Sequence, residues 1–385
     1  MSPLSAVPVV LIVALSAGAV RGQDKALSGG GPVKWEGWAF NWKIHLRQGV
    51  VLTDVKFQGK SVLKYAAVAE VFVPYHPGQP RPQDQRDHPF GKNLVPLQPG
   101  VDCLPGGTCR GYDFNGKPVT ANAAVMLHEE EGAPIYIGAE GRARAKTLTL
   151  WSAYTLGGYF YIVQWRFRED GVILPQVGLT GALVHFGGDN SNSVAVGAKD
   201  RALSHVHNIF FCLDFDVDGK TNSVEEFDFK VIDEEGEKAT GTWTPITKEG
   251  GRELKPEAFR SWRVVNNASK NKHGNPRSYE LVPGGTGVYR GAKKEEFARY
   301  GVWVTRSKPD EVPGKKLLAD SLASYADGES VDGADVVLWY MLSVHHQPKA
   351  EDWSAMPVEW CGFKIAPRDF LDGSWVKVNQ ASGGR

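Results

Sequence analysis

At 385 residues, with 42% hydrophobic and 11% aromatic side chains, the chain is long enough for a large core and too long for one small module. Lys plus Arg and Asp plus Glu balance at 44 each, which removes any electrostatic case for nucleic acid or an acidic membrane surface. Forty-four Gly, 23 Pro and little helical periodicity predict an all-β chain of short strands joined by turns.

Residues 1–22 read as a signal peptide. Ser5 to Val20 is an almost unbroken apolar run, short for a membrane span, followed by small residues and Arg21-Gly22-Gln23. No Lys or Arg precedes the run, so a signal anchor is the alternative reading. A secreted, extracellular protein is expected, free of the membrane once the segment is cleaved. Residues 23–32 form a Gly-rich flexible lead-in, 33–375 a single domain without internal repeat, and 376–385 a tail.

Along the domain, Val50 to Tyr75 predicts strands around a Gln58-Gly59 turn, and residues 76–93 a long irregular loop of the kind that carries function. Trp151 to Asp170 is aromatic and β-branched throughout, with Gly157-Gly158 at its centre just before Tyr159. Strands follow over Val172 to Phe186 and Ile209 to Val217. Residues 233–258 and 266–276 read as exposed polar segments. Short helices are expected over Lys293 to Arg299 and Asp320 to Ala326, then strands over Val336 to Val344 and Trp360 to Pro367. Asn267-Ala268-Ser269 is a glycosylation sequon, as in a glycoprotein. Four cysteines do not make a disulfide scaffold; Cys103 and Cys109 are near enough to close a small loop, while Cys212 and Cys361 read as buried thiols.

Two constellations point to metal chemistry. His205-Val206-His207 places two imidazoles on one face of a strand, within reach of one ion. A third would come from His345 or His346, and three neutral imidazoles suit copper or zinc. Asp214-Phe215-Asp216-Val217-Asp218-Gly219 followed by Glu225 fits a calcium-loop pattern, but its flanks read as strands and Thr221 stands where an aliphatic residue is usual. An EF-hand is therefore excluded, while a calcium site built from some of these carboxylates stays open.

From about Asn41 to Asp372 these pieces, in this order, resemble the catalytic domain of the copper-containing amine oxidases. That family's signature is Thr-x-x-Asn-Tyr-Asp/Glu-Tyr, whose first tyrosine becomes the topaquinone (TPQ) cofactor. Here it corresponds to Thr155-Leu156-Gly157-Gly158-Tyr159-Phe160-Tyr161, with Gly158 in place of the Asn and Phe160 in place of the acid. His205 and His207 match the paired copper ligands. The segment His346-Gln347-Pro348-Lys349-Ala350-Glu351-Asp352-Trp353-Ser354-Ala355-Met356-Pro357 matches His-x-Pro-x-x-Glu-Asp-x-x-x-Met-Pro, which selects His346 over His345.

The resemblance further implies a large antiparallel β-sandwich with few short helices, a homodimer, and a peripheral calcium-type site on Asp214, Asp216 and Asp335 with the carbonyls of Phe215 and Val336. Counting back without gaps from Pro96-Leu97 and Asp102-Cys103 puts the family's catalytic base at Asp84, with Asp87 the fallback, and Tyr75 matches the tyrosine that bonds the cofactor oxygen. Met126 stands where relatives carry the cysteine that pairs with Cys103, leaving Cys109 as the substitute partner.

The implied activity is that of a primary-amine oxidase, using amine and dioxygen and giving aldehyde, ammonia and hydrogen peroxide. Its logic suits these residue types: a quinone carbonyl is an electrophile for an amine, and a buried carboxylate with a raised pKa can remove the proton from the carbon bearing nitrogen. A copper-binding derivative without oxidase activity, whether a pseudoenzyme or a repurposed biosynthetic enzyme, and a secreted binding module with structural calcium are the competing readings.

Overall fold

The computed structural model describes residues 30–75, 88–103, 105–111, 113–114, 117–118, 125–183, 193–233, 235–236, 238–285, 287–311 and 318–376. Strands are numbered along the chain, and the strand pairings are antiparallel. Eight of them make one sheet in the order β1 (Gly30–Trp35), β2 (Trp38–His45), β3 (Gly49–Phe57), β4 (Lys60–Phe72), β14 (His205–Phe215), β21 (Val336–His346), β20 (Val302–Arg306) and β17 (Gly250–Arg252). Eleven make the other: β16 (Ala239–Ile246), β15 (Ser223–Val231), β18 (Ser261–Lys270), β19 (Pro276–Val282), β23 (Lys364–Arg368), β11 (Ile173–Gly181), β10 (Tyr159–Arg168), β9 (Gly141–Leu156), β8 (Val125–Gly138) and β5 (Thr108–Arg110), with β22 (Met356–Gly362) also on β11. Two small ribbons pair β6 (Asp113–Phe114) with β7 (Lys117–Pro118) and β12 (Ser193–Ala195) with β13 (Arg201–Leu203).

The two large sheets pack face to face, and the period of two in their strands decides what lies between them. On β10, Tyr159, Tyr161, Val163, Trp165 and Phe167 are buried while the residues between them are not. Opposite, β14 turns His205, His207, Ile209, Phe211, Leu213 and Phe215 to the same interior. Trp165 meets Phe211 edge-on at 5.9 Å, and Phe211 meets Phe363 at 4.9 Å. Trp38 donates its indole N–H to the Arg168 carbonyl at 2.8 Å, tying one sheet to the end of β10 in the other.

Strands β14 and β21 are apolar on both faces because the smaller sheet is covered on both. Phe210, Cys212, Trp339 and Met341 turn away from the sandwich and pack against Leu318 and Leu322 of the Leu318–Tyr325 helix and against Phe297. That explains why Val336 to Val344 reads as a continuous hydrophobic run without alternation.

Most predicted elements appear close to their expected places, and the exceptions have physical causes. Residues 239–246 form the edge strand β16 although nearly all are exposed, since a sheet edge needs backbone pairing on one side only. Strand β18 runs on to Lys270 through an irregularity after Asn266, so 266–270 are extended as well as polar. Trp360 to Pro367 is divided at Phe363 between β22 and β23. Lys293 to Arg299 contains only a 3-10 turn, Glu296–Ala298. Strand β1 includes residues 30–32 of the expected lead-in. Cys103 and Cys109 form a disulfide, and Cys109 lies directly across the β5–β8 ladder from Met126. The substitute cysteine therefore sits beside the position whose own cysteine is missing.

Candidate metal centre

The site is assembled by strand parity. His205 and His207 are two apart on β14, so both rings face the interior; His205 lies directly opposite His346 in the β14–β21 ladder. His346 shares its face with Leu342 and Val344, both in the sandwich core, and is 4% exposed. His345, one residue earlier, points out to solvent and pairs with the Ser204 hydroxyl at 2.7 Å. One residue of register thus separates a ligand from a surface histidine. Ligand atoms of His205, His207 and His346 all lie within 4.8 Å of one another.

Tyr159 reaches the same point from the other sheet. Residues 157–158 form the two-residue turn between β9 and β10, with Gly157 at φ +61°, a left-handed conformation that suits glycine. The turn delivers Tyr159 as the first residue of β10. Its hydroxyl is 3.0 Å from His205 Nε2 and 3.4 Å from His346 Nδ1, and those nitrogens are 3.3 Å apart. Tyr75 stacks at a tilt on His205, ring centroids 4.6 Å apart. Burial, then Tyr75 and Asp352, raise the Tyr159 phenol well above its ordinary range, so it is held as the neutral hydroxyl.

Hydrogen bonds orient each imidazole. His205 Nδ1–H donates to the Leu203 carbonyl at 2.9 Å, leaving the Nε2 lone pair for a ligand. His346 is turned the other way: its Nε2–H donates to Asp352 at 3.0 Å, freeing Nδ1. His207 Nδ1 pairs with the Tyr161 hydroxyl at 2.8 Å. Its Nε2 is buried without a protein hydrogen-bond partner. Such an atom is costly unless something accepts its lone pair. Burial, then His205 and His346, push the His207 imidazole well below its ordinary pKa, which keeps it neutral. Three imidazoles, each fixed from behind and one with an orphaned nitrogen, fit a copper or zinc ion.

The Copper amine oxidase, enzyme domain, family model matches residues 28–381. The chain belongs to the copper amine oxidase family. It is 28% identical to a histamine oxidase of Arthrobacter globiformis, across 89% of this chain and 56% of that one. It is 29% identical to copper amine oxidase 1 of Aspergillus niger, across 88% and 56%. The solved structure of a copper-containing benzylamine oxidase from Hansenula polymorpha superposes with a TM-score of 0.80 at 25% identity, covering 94% of this chain and 64% of that one. The chain thus spans little more than half the length of the curated relatives it matches.

In this copper amine oxidase family member, the two signature differences are not equivalent. Phe160 follows Tyr159 on a strand, so its side chain points to the opposite face of β10, where it is 36% exposed. The Phe160 difference therefore stays clear of the imidazoles. Gly158 lies in the turn itself, where its carbonyl accepts from Ala182 N–H at 3.0 Å. Asp84 and Asp87 lie outside the described residues. Two groups that sequence reasoning did not single out complete the surroundings: Tyr161, two residues beyond Tyr159 and so on its face, and Asp352. Both stood inside recognised motifs, and their spacing was the available signal.

The expected calcium residues are brought to one region but not into one cage. Asp214, Asp216 and Asp335 gather at the far end of β14 and β21, yet they are not among the described acidic groups whose oxygens approach within 4.8 Å of one another. Glu249, Asp327 and Glu329 are. Among the described residues no helix is long and apolar enough to cross a membrane.

Proposed function

We propose that the protein is a secreted, homodimeric, copper- and topaquinone-dependent oxidase of primary amines, releasing aldehyde, ammonia and hydrogen peroxide. One observation carries this reading: the Tyr159 hydroxyl lies within 3.4 Å of His205 Nε2 and His346 Nδ1, beside His207 Nε2, which is buried without a protein hydrogen-bond partner. A bound copper ion would supply the redox chemistry by which dioxygen oxidises an adjacent phenol ring. The chain's part is positional. His205, His207 and His346 would hold the ion, Tyr159 would be the cofactor precursor, and Tyr75 packs where it can steady the ring. Asp84, or failing that Asp87, is assigned the proton-abstracting role by its place in the sequence.

The test is a quinone assay on copper-reconstituted, aerated protein. Phenylhydrazine should label the peptide containing Tyr159 only after copper loading, and Tyr159→Phe should bind copper normally yet resist labelling. Bound copper with an unmodified Tyr159 would refute the oxidase and favour the second reading, a copper protein of other function. Gly158, at the signature's Asn position, is the observation on that side.

A further inference from the structure

At the opposite end of the strands that carry the histidines, Asp214 of β14 and Asp335, just before β21, face Lys64 of β4. Lys64 Nζ is 3.4 Å from Asp214 Oδ2, 3.3 Å from Asp335 Oδ2 and 3.3 Å from the Ser307 hydroxyl oxygen. An ammonium has three N–H donors, and here each has an acceptor. Ser307 donates its own hydroxyl to Asp214 Oδ2 at 3.0 Å, and its backbone N–H bonds the Asp335 carbonyl at 2.8 Å. The network therefore joins the adjacent strands β4 and β14, the residue that leads into β21 and the segment after β20.

Calcium asks for something else: six to eight oxygens at about 2.3–2.6 Å, which brings ligand oxygens close together around the ion. Asp214, Asp216 and Asp335 do not bring one carboxylate oxygen each within 4.8 Å of one another. Two of their oxygens are already taken by the ammonium. We propose that Lys64 occupies the role of a divalent cation at this cluster, so that the fold closes there on a built-in ammonium and does not require calcium. Lys64 sits partly in solvent, at 47% side-chain exposure, whereas Asp214 is only 7% exposed, so the acid is fixed and the base is delivered to it. The Oδ1 atoms of Asp214, Asp216 and Asp335 are buried without a protein donor. Removing the ammonium would leave a nest made only of oxygen, free to close on a hard cation. The second acidic group follows the same plan: Lys308 is 3.1 Å from Asp327, 3.4 Å from Glu311, and in contact with Glu329.

The proposal concerns the scaffold and is independent of amine chemistry. It is tested on the copper-loaded full chain by measuring bound calcium and the melting temperature in EGTA and in millimolar calcium chloride. Asp327→Asn is used as the background, so that ion bound at the second cluster is not counted. This background protein should retain no calcium after gel filtration and melt at the same temperature in both buffers. Adding Lys64→Met should lower the melting temperature in EGTA and create a calcium response of about 2 °C or more, with terbium binding to match. Stoichiometric calcium in the Asp327→Asn protein, or a melting temperature that rises with calcium while Lys64 is present, overturns the proposal. So does a folded Lys64→Met protein that gains no calcium response. If Lys64→Met does not fold, the Asp327→Asn measurement decides alone.

Discussion

Asp352 is a buried carboxylate in direct contact with the candidate copper ligand His346, and its removal should be read in the metal before it is read in the fold. Its Oδ2 accepts from His346 Nε2–H and from the Lys349 backbone N–H, each at 3.0 Å, in a side chain 4% exposed. Asp352→Ala leaves both donors buried without an acceptor and frees the ring to turn or change tautomer. Loss of such an outer partner lowers metal affinity by about 10- to 100-fold, equivalent to about 1.4–2.7 kcal/mol. Asp352→Asn keeps an acceptor oxygen but gives up the charge assistance, which is worth about 1 kcal/mol, so it should recover part of the loss. The assay is copper affinity by competition with a chelator of known strength, with the Cu(II) spin-resonance spectrum recorded on each variant. A shift in the spectrum of Asp352→Ala, partly restored in Asp352→Asn, marks a change in the ligand field that a loosened turn elsewhere would not produce. If Asp352→Ala binds copper within twofold of the parent with an unchanged spectrum, the argument for orientation through Asp352 fails.

Other substitutions probe the scaffold. Trp165 is fully buried between the sheets against Phe211, so Trp165→Ala should cost about 3–5 kcal/mol in chemical denaturation, and a loss under about 1 kcal/mol would show that the interface repacks. Asp218 sits at φ +48°, which asparagine tolerates, so Asp218→Asn changes its charge while sparing the backbone. Burial alone would raise its carboxyl, but hydrogen bonds from Lys60 and Ser269 prevail and hold it below the usual range. Its contribution is therefore complete above about pH 4, the unfolded value, and is lost as pH falls through the lower folded one. At pH 7 the variant should lose about 1 kcal/mol, with the gap narrowing toward pH 3; a gap that is flat with pH would remove the carboxylate from the account.

How much was legible beforehand follows from what kind of information each feature uses. His205 and His207 declare themselves because a strand's period of two is local. The third ligand did not, since His345 and His346 are equivalent until the register of β21 against β14 is known; only the longer motif, read through the family resemblance, broke the tie. The roles of Asp352 and Tyr161 were hidden for the same reason: both stood inside quoted motifs, but what they touch depends on tertiary packing. Lys64 was invisible as a site residue, because it lies in an alternating strand far in sequence from Asp214 and Asp335. The exposed polar look of 239–246 misled because an edge strand is held by its neighbour's backbone and needs no apolar face. The significance of Phe160 also changed once its direction was known, from a flaw in a motif to a residue on the far side of a sheet.

The long separation of the ligands along the chain has a consequence for biosynthesis. His346 lies 141 residues after His205, and 187 after Tyr159. During translation the first two histidines and the tyrosine leave the ribosome long before their partner exists, and β14 lacks β21, the neighbour that completes the centre. A copper ion that meets this nascent chain finds two imidazoles and an incomplete sheet. Tight loading has to wait for β21 to pair, so occupancy of the centre reports that β21 has been made and has closed correctly against β14.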